Sequence, residues 1–170
     1  YQSSPIQIPG TTWKVIYGSV GAGGQDSKRL AVKTDGTLWG WGWNSKGQLG
    51  LNNRTTYSSP VQIGSDTTWP TALRTGAFGW SGSYDVMGVI KTDGTLWTWG
   101  DNGWGTLGHN NLTTRSSPTQ VPGSRWKNVS GSVQAALLTT KTDGTMWAWG
   151  YNEYGQQGLN DRTQRSSPTQ

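Results

Sequence analysis

The chain has 170 residues, no cysteine, 26 glycines and 12 tryptophans, and its 14 basic residues against 9 acidic ones give a net charge of +5. That length suits a single core, and the missing cysteine excludes disulfides, a thiolate nucleophile and any Cys-ligated metal. Apolar runs fall far short of the roughly 20 residues of a membrane-spanning helix, so no membrane insertion is expected; the basic residues are scattered, with no run longer than the pair Lys28 and Arg29, which argues against nucleic acid as the partner.

Taken in order, "SSPIQ" from Ser3 leads to a lone Trp13 and the short apolar strand "WKVI". The glycine-rich "GSVGAGGQDSKRL" follows. It lacks the Lys-Ser/Thr and the strand-to-helix setting of a phosphate loop, so it reads as a flexible surface loop. "RLAVK" is a second strand, "KTDGT" from Lys33 a hairpin turn in which Asp and Gly tolerate positive φ, and "LWGWG" a third strand. "NSKGQLG" (44–50) and a polar stretch then lead to the next "SSPVQI", a fourth strand.

The whole sentence is then repeated. SSPxQ begins at Ser3, Ser58, Ser116 and Ser166, and KTDGT at Lys33, Lys91 and Lys141. Approximate units are 3–57, 58–115 and 116–165 within one repeat domain, with 166–170 starting a fourth and waiting for a neighbour. The slack in repeat length falls in the segment before each KTDGT strand, which marks surface loops. About four short antiparallel strands per unit of 50–58 residues predict an all-β fold of β-propeller blades. In "TLWTWG", Trp97 and Trp99 share one face at period two. With their counterparts Trp39, Trp41, Trp147 and Trp149, and the lone Trp13, Trp69 and Trp126, they are expected to form the blade core.

Chemistry is sparse. The one histidine, His109, faces Leu51 and Leu159 at the equivalent places; no carboxylates pair as an acid/base couple, and no metal or calcium spacing is present. A non-enzyme without cofactor is expected. Recognition remains. Trp43, Asp101 and Tyr151 share one column of the repeat, and Lys46, Trp104 and Tyr154 another. A position that accepts such different residues is no core position, so Trp43, Trp104, Tyr151 and Tyr154 are candidate contacts, joined by Phe78, Trp80 and Tyr84 of the longest variable loop. Arg54, Arg115 and Arg162 near the loop ends are candidate braces.

The order SSPxQ, lone Trp, apolar strand, DG turn, W-x-W-G and N-x-x-G-x-x-G resembles the repeat of the regulator of chromosome condensation family, over essentially the whole chain. The resemblance implies propeller blades of the kind that close seven-bladed rings, with repeats closest to the bacterial and bacteriophage type. Many family repeats place a histidine before the strand leading to the DG turn; here Lys28, Val86 and Ala136 stand there. The insertion and acidic residues of GTPase exchange factors are not found. Three units imply a segment of a longer propeller, or copies that complete one another through blade edges. The expected role is a structural or binding module, a virion or extracellular surface component that presents variable loops to a protein or receptor. The alternative is a carbohydrate-binding propeller with the loop aromatics stacked on a glycan; a GTPase exchange factor or chromatin-binding propeller, which the resemblance also brings in, ranks behind both.

Overall fold

The computed structural model describes residues 4–18, 28–72, 78–79, 85–131 and 136–170. They form twelve strands: β1 (Trp13–Gly18), β2 (Lys28–Lys33), β3 (Leu38–Gly42), β4 (Tyr57–Gln62), β5 (Phe78–Gly79), β6 (Val86–Ile90), β7 (Leu96–Gly100), β8 (Arg115–Gln120), β9 (Trp126–Gly131), β10 (Ala136–Lys141), β11 (Met146–Gly150) and β12 (Arg165–Thr169). Each consecutive set of four is one antiparallel meander, so the chain lays down three four-stranded sheets in order. The first strand of the middle sheet, β5, lies against β1 on one side and β9 on the other, and the sheets fan out from that side as blades. Among the described residues no helix is long and apolar enough to cross a membrane.

The KTDGT turn is built three times on one plan. Gly36 N–H bonds the Lys33 carbonyl at 3.0 Å, and Lys33 N–H bonds the Thr37 carbonyl at 3.0 Å. Only the glycine adopts a left-handed φ, +79° at Gly36, and the aspartate does not share it as the dipeptide suggested. Asp35 serves instead as an acceptor: its Oδ1 takes the Thr37 N–H at 3.0 Å and hydroxyl at 2.7 Å, and that hydroxyl in turn accepts the Trp39 indole N–H at 2.8 Å. Asp93, Thr95 and Trp97 repeat the relay, as do Asp143, Thr145 and Trp147. These hydrogen bonds from threonine hold all three carboxyls below the usual aspartate range. Thr95→Val removes the hydroxyl and with it the hydroxyl's bonds to Asp93 and the Trp97 indole, while the backbone N–H keeps its bond to Asp93. It is expected to lower stability by about 1 kcal/mol in chemical denaturation, with the fold retained.

The repeated lysine completes the unit. Lys91 Nζ lies 4.4 Å from the Trp69 ring centroid and 4.2 Å from that of Trp97. Lys33 is placed likewise over Trp13 and Trp39, and Lys141 over Trp126 and Trp147. Each blade therefore seats an ammonium between two indoles.

The N-x-x-G-x-x-G loop reverses the chain and joins blades. Asn102 is fully buried; its amide donates to the Asn111 and Thr113 carbonyls at 2.9 and 3.1 Å, and its Oδ1 accepts the Leu107 N–H at 2.9 Å. Asn44 and Asn152 make the same ties. This clamp folds the following SSPxQ segment back along the third strand. The SSPxQ segments from Ser58, Ser116 and Ser166 are therefore each the last strand of a sheet, and units counted from the SSP serine run one strand out of phase. Residues 166–169, read from the sequence as the start of a fourth unit, lie in β12 and complete the third blade. Residues 4–7 of the first SSPIQ form no strand, and Ile6 and Ile8 are exposed.

Across the seams the loop of one blade rests on the next. The Asn52 N–H reaches the Ser116 carbonyl and the Asn110 N–H the Ser166 carbonyl, both at 2.7 Å. A Cβ on Gly47 would sit 2.6 Å from Ser116 Cα, so this approach needs glycine as well as its φ of +75°. The second tryptophan of W-x-W crosses the same seam: Trp99 donates to the Gln48 carbonyl at 3.0 Å and Trp149 to the Thr106 carbonyl at 2.8 Å, both fully buried. Trp69 and Trp126 are buried too, while Trp13, Trp39, Trp41, Trp97 and Trp147 are half-buried.

Candidate functional site

Because the loop asparagine points inward, the residue before it and the residue two after it stand on the surface of the same rim. At the seam between the second and third blades this places Trp104 against Tyr151, with ring centroids 4.8 Å apart at 74°. Tyr154 continues the row, its ring 6.2 Å from that of Tyr151. The Tyr151 hydroxyl donates to the Glu153 carboxylate, and Tyr154 is 67% exposed. Three of the residues singled out from the sequence thus form one edge-to-face aromatic row with a carboxylate at its side. Trp43 stands on the first blade, 39% exposed, and the residues equivalent to Trp104 and Tyr151 at the first seam are Lys46 and Asp101.

Trp80 and Tyr84 lie outside the described residues. Phe78, expected in the variable loop, belongs instead to β5, where it pairs with Gly88, because the second sheet needs a first strand at this point in its meander. The candidate brace is Arg165 rather than Arg162. Its guanidinium grips Asp161 at 2.7 and 3.0 Å and pushes that carboxyl down to about 2.

Sequence reasoning missed a buried ion pair across the first seam: Lys28 Nζ lies 2.7 Å from Asp85 Oδ1, with the lysine side chain fully buried. A signal for it existed. Lys28 stands opposite Gly42 in its sheet, as Val86 stands opposite Gly100 and Ala136 opposite Gly150, so it is the charged member of an apolar column. Each seam also holds a cavity, about 400 Å³ between the first and second blades and about 360 Å³ between the second and third.

His109 borders the second of these, with Nε2 3.1 Å from the Thr98 hydroxyl. Burial, helped by the charge of Arg115, holds its pKa down to about 4, so it is neutral at pH 7. The unfolded chain protonates this imidazole near pH 6.5 and the folded chain only near 4, so folding loses stability as pH falls through that window. His109→Leu, the residue found at the equivalent places 51 and 159, is expected to flatten the pH 6.5-to-4 dependence of the melting temperature. An unchanged slope would show that the imidazole is not the cause. Among the described residues no group of three His, Asp or Glu side chains could hold a metal ion.

A fan of four-stranded meander blades, each carrying the DG hairpin, the W-x-W strand and the asparagine-clamped loop, defines a β-propeller repeat protein. The regulator of chromosome condensation (RCC1) repeat model matches residues 35–72, 93–136 and 143–170, more than half of the chain, and the chain belongs to that family. It is 35% identical over 91 residues to the ultraviolet-B receptor UVR8 of Arabidopsis thaliana, a match covering 54% of this chain and 19% of that protein. Among solved structures it is similar to Prp20p of Saccharomyces cerevisiae, with a TM-score of 0.68 at 20% identity over 90% of this chain and 37% of that one. Human WBSCR16 gives 0.65 at 22% identity, over 83% and 34%. At these identities the structures show the fold alone. The chain spans about a fifth of the plant receptor and about a third of the solved propellers.

Proposed function

We propose that this chain is a non-catalytic recognition module in which stacked blades hold the row Trp104, Tyr151 and Tyr154 for a protein partner. The observation that carries the reading is that two blades contribute to one aromatic row at places where the repeat itself demands no aromatic. Exposed aromatics fixed by a rigid scaffold supply contact area at low entropic cost, as binding hot spots do. The structure of Prp20p was reported together with that protein's binding to Gsp1p and histones, a precedent for a related propeller acting on proteins. Self-association through blade edges is the second form such a contact takes here. Placement on a virion or extracellular surface is proposed from the closeness of the three repeats to one another, and mass spectrometry of purified particles from the source culture tests it.

The binding test is a peptide library selected on the folded chain. Tyr154→Ala and Trp104→Ala are expected to weaken the selected binders about tenfold or more, with Tyr154→Ala leaving the melting temperature unchanged. Equal affinity for wild type and both variants would remove the rim from the reading. A parallel glycan array that alone yields binders sensitive to these variants would favour the carbohydrate reading.

A further inference from the structure

The three lysine–tryptophan stacks differ in their electrostatics. In the second blade Asp66 reaches over the stack and pairs with Lys91, leaving that lysine side chain 6% exposed. Asp66 stands three residues before the lone Trp69; Gly10 and Gly123 stand three before Trp13 and Trp126. In the first blade the Trp13 indole finds the Pro9 carbonyl at 3.1 Å. In the third blade neither device operates. Among the described residues no carboxylate lies within ion-pair distance of Lys141, and the Trp126 indole N–H has no acceptor although the residue is only 2% exposed. Trp69 shares the bare indole, but among the described residues the third blade alone combines it with a lysine that makes no ion pair. Asp143 is close in sequence, yet its Oδ1 is taken by the Thr145 N–H and hydroxyl.

The two donors converge. A carbon at the Cβ position of Gly123 would lie 3.6 Å from Lys141 Nζ and 3.9 Å from the Trp126 indole nitrogen. Gly123, Lys141 and Trp126 all line the 360 Å³ cavity between the second and third blades, with Asn110, Trp147 and Ser167. At the first seam Asp66 lines the matching cavity and pairs with Lys91, so the fold displays one lysine–tryptophan stack that already meets a carboxylate beside one that does not. A buried donor and an ammonium that Asp143 meets only at longer range both favour an anionic acceptor.

We propose that the cavity between the second and third blades receives a carboxylate side chain from an acidic segment of a protein partner, seated on Lys141 and Trp126 as Asp66 is seated on Lys91. The inference rests on the reading of the chain as a protein-binding module and names the chemistry that its partner presents.

The test is titration of the whole chain with a capped Gly-Asp-Glu-Asp-Gly peptide, followed by tryptophan fluorescence, with sodium acetate and inorganic phosphate in parallel. One saturable peptide site that weakens with added salt is expected. Lys141→Gln should lower its affinity about tenfold or more, and Lys141→Arg should restore part of it. Asp66→Gly should uncover the equivalent site over Lys91 and raise the stoichiometry from one peptide to two. The proposal fails if the folded wild type does not respond, if phosphate or acetate binds as tightly as the peptide, or if Asp66→Gly leaves the stoichiometry unchanged. Peptides selected on the rim that lose affinity in Tyr154→Ala, in a chain that ignores the acidic peptide, would overturn this inference and leave the recognition reading standing.

Discussion

Asp85→Ala is expected to cost about 4 kcal/mol of stability, because it strands a buried lysine. Lys28 enters the first seam with its side chain fully covered, and its ammonium meets Asp85 Oδ1 at 2.7 Å. Removing the carboxylate leaves a cation with neither water nor a counter-charge, which costs far more than the net worth of the pair. The contrast that isolates this cause is the double substitution Lys28→Val with Asp85→Ser. It reproduces the apolar column seen at Val86 and Ala136 and should return stability to within about 1 kcal/mol of wild type. Denaturant unfolding followed by tryptophan fluorescence measures both; a loss under about 1 kcal/mol in Asp85→Ala would show that the pair is solvated.

Trp99→Ala should cost a similar amount, about 4 kcal/mol, while Trp41→Ala should cost roughly half as much. The two residues hold the same place in consecutive blades. Trp99 is fully buried against the loop of the preceding blade and donates to the Gln48 carbonyl at 3.0 Å. Trp41 is half-buried, facing Ile6, Ile8 and Ile16 across an open groove. Truncation at Trp99 removes a whole indole from a closed seam and leaves a carbonyl without its donor; truncation at Trp41 removes contacts from one side only. Trp99→Phe separates the terms, since it keeps most of the apolar area and loses the hydrogen bond, and should cost about 1–2 kcal/mol. Equal losses at the two positions would mean that the seam adds nothing to the tryptophan's own sheet.

Much of the fold was legible because it is written in local chemistry. Alternation at period two marks β3 and β7, short apolar runs bounded by turn residues mark β2 and β6, and the Asp-Gly and Asn-x-x-Gly signals fix where the chain reverses, since turn geometry is set by a few neighbouring residues. Internal repetition did the rest: a sheet that cannot bury both faces alone must stack on a neighbour like itself. The phase of the units was harder to read. SSPxQ looks like a beginning in the sequence, and only the Asn44, Asn102 and Asn152 clamps reveal it as a return strand.

The sequence by itself determined that this is an all-β array of three near-copies with tryptophan-rich blades, and it picked out Trp104, Tyr151 and Tyr154 as residues the repeat does not require. Tertiary structure alone decided that these three stand in one row, that Lys28 is buried on Asp85, and that Asp66 covers Lys91 while Lys141 is left uncovered. The reason is distance along the chain. Lys28 and Asp85 are 57 residues apart and Trp149 and Thr106 are 43 apart. Such pairs are chosen by how one blade seats on the next, a geometry that no period within a single repeat encodes.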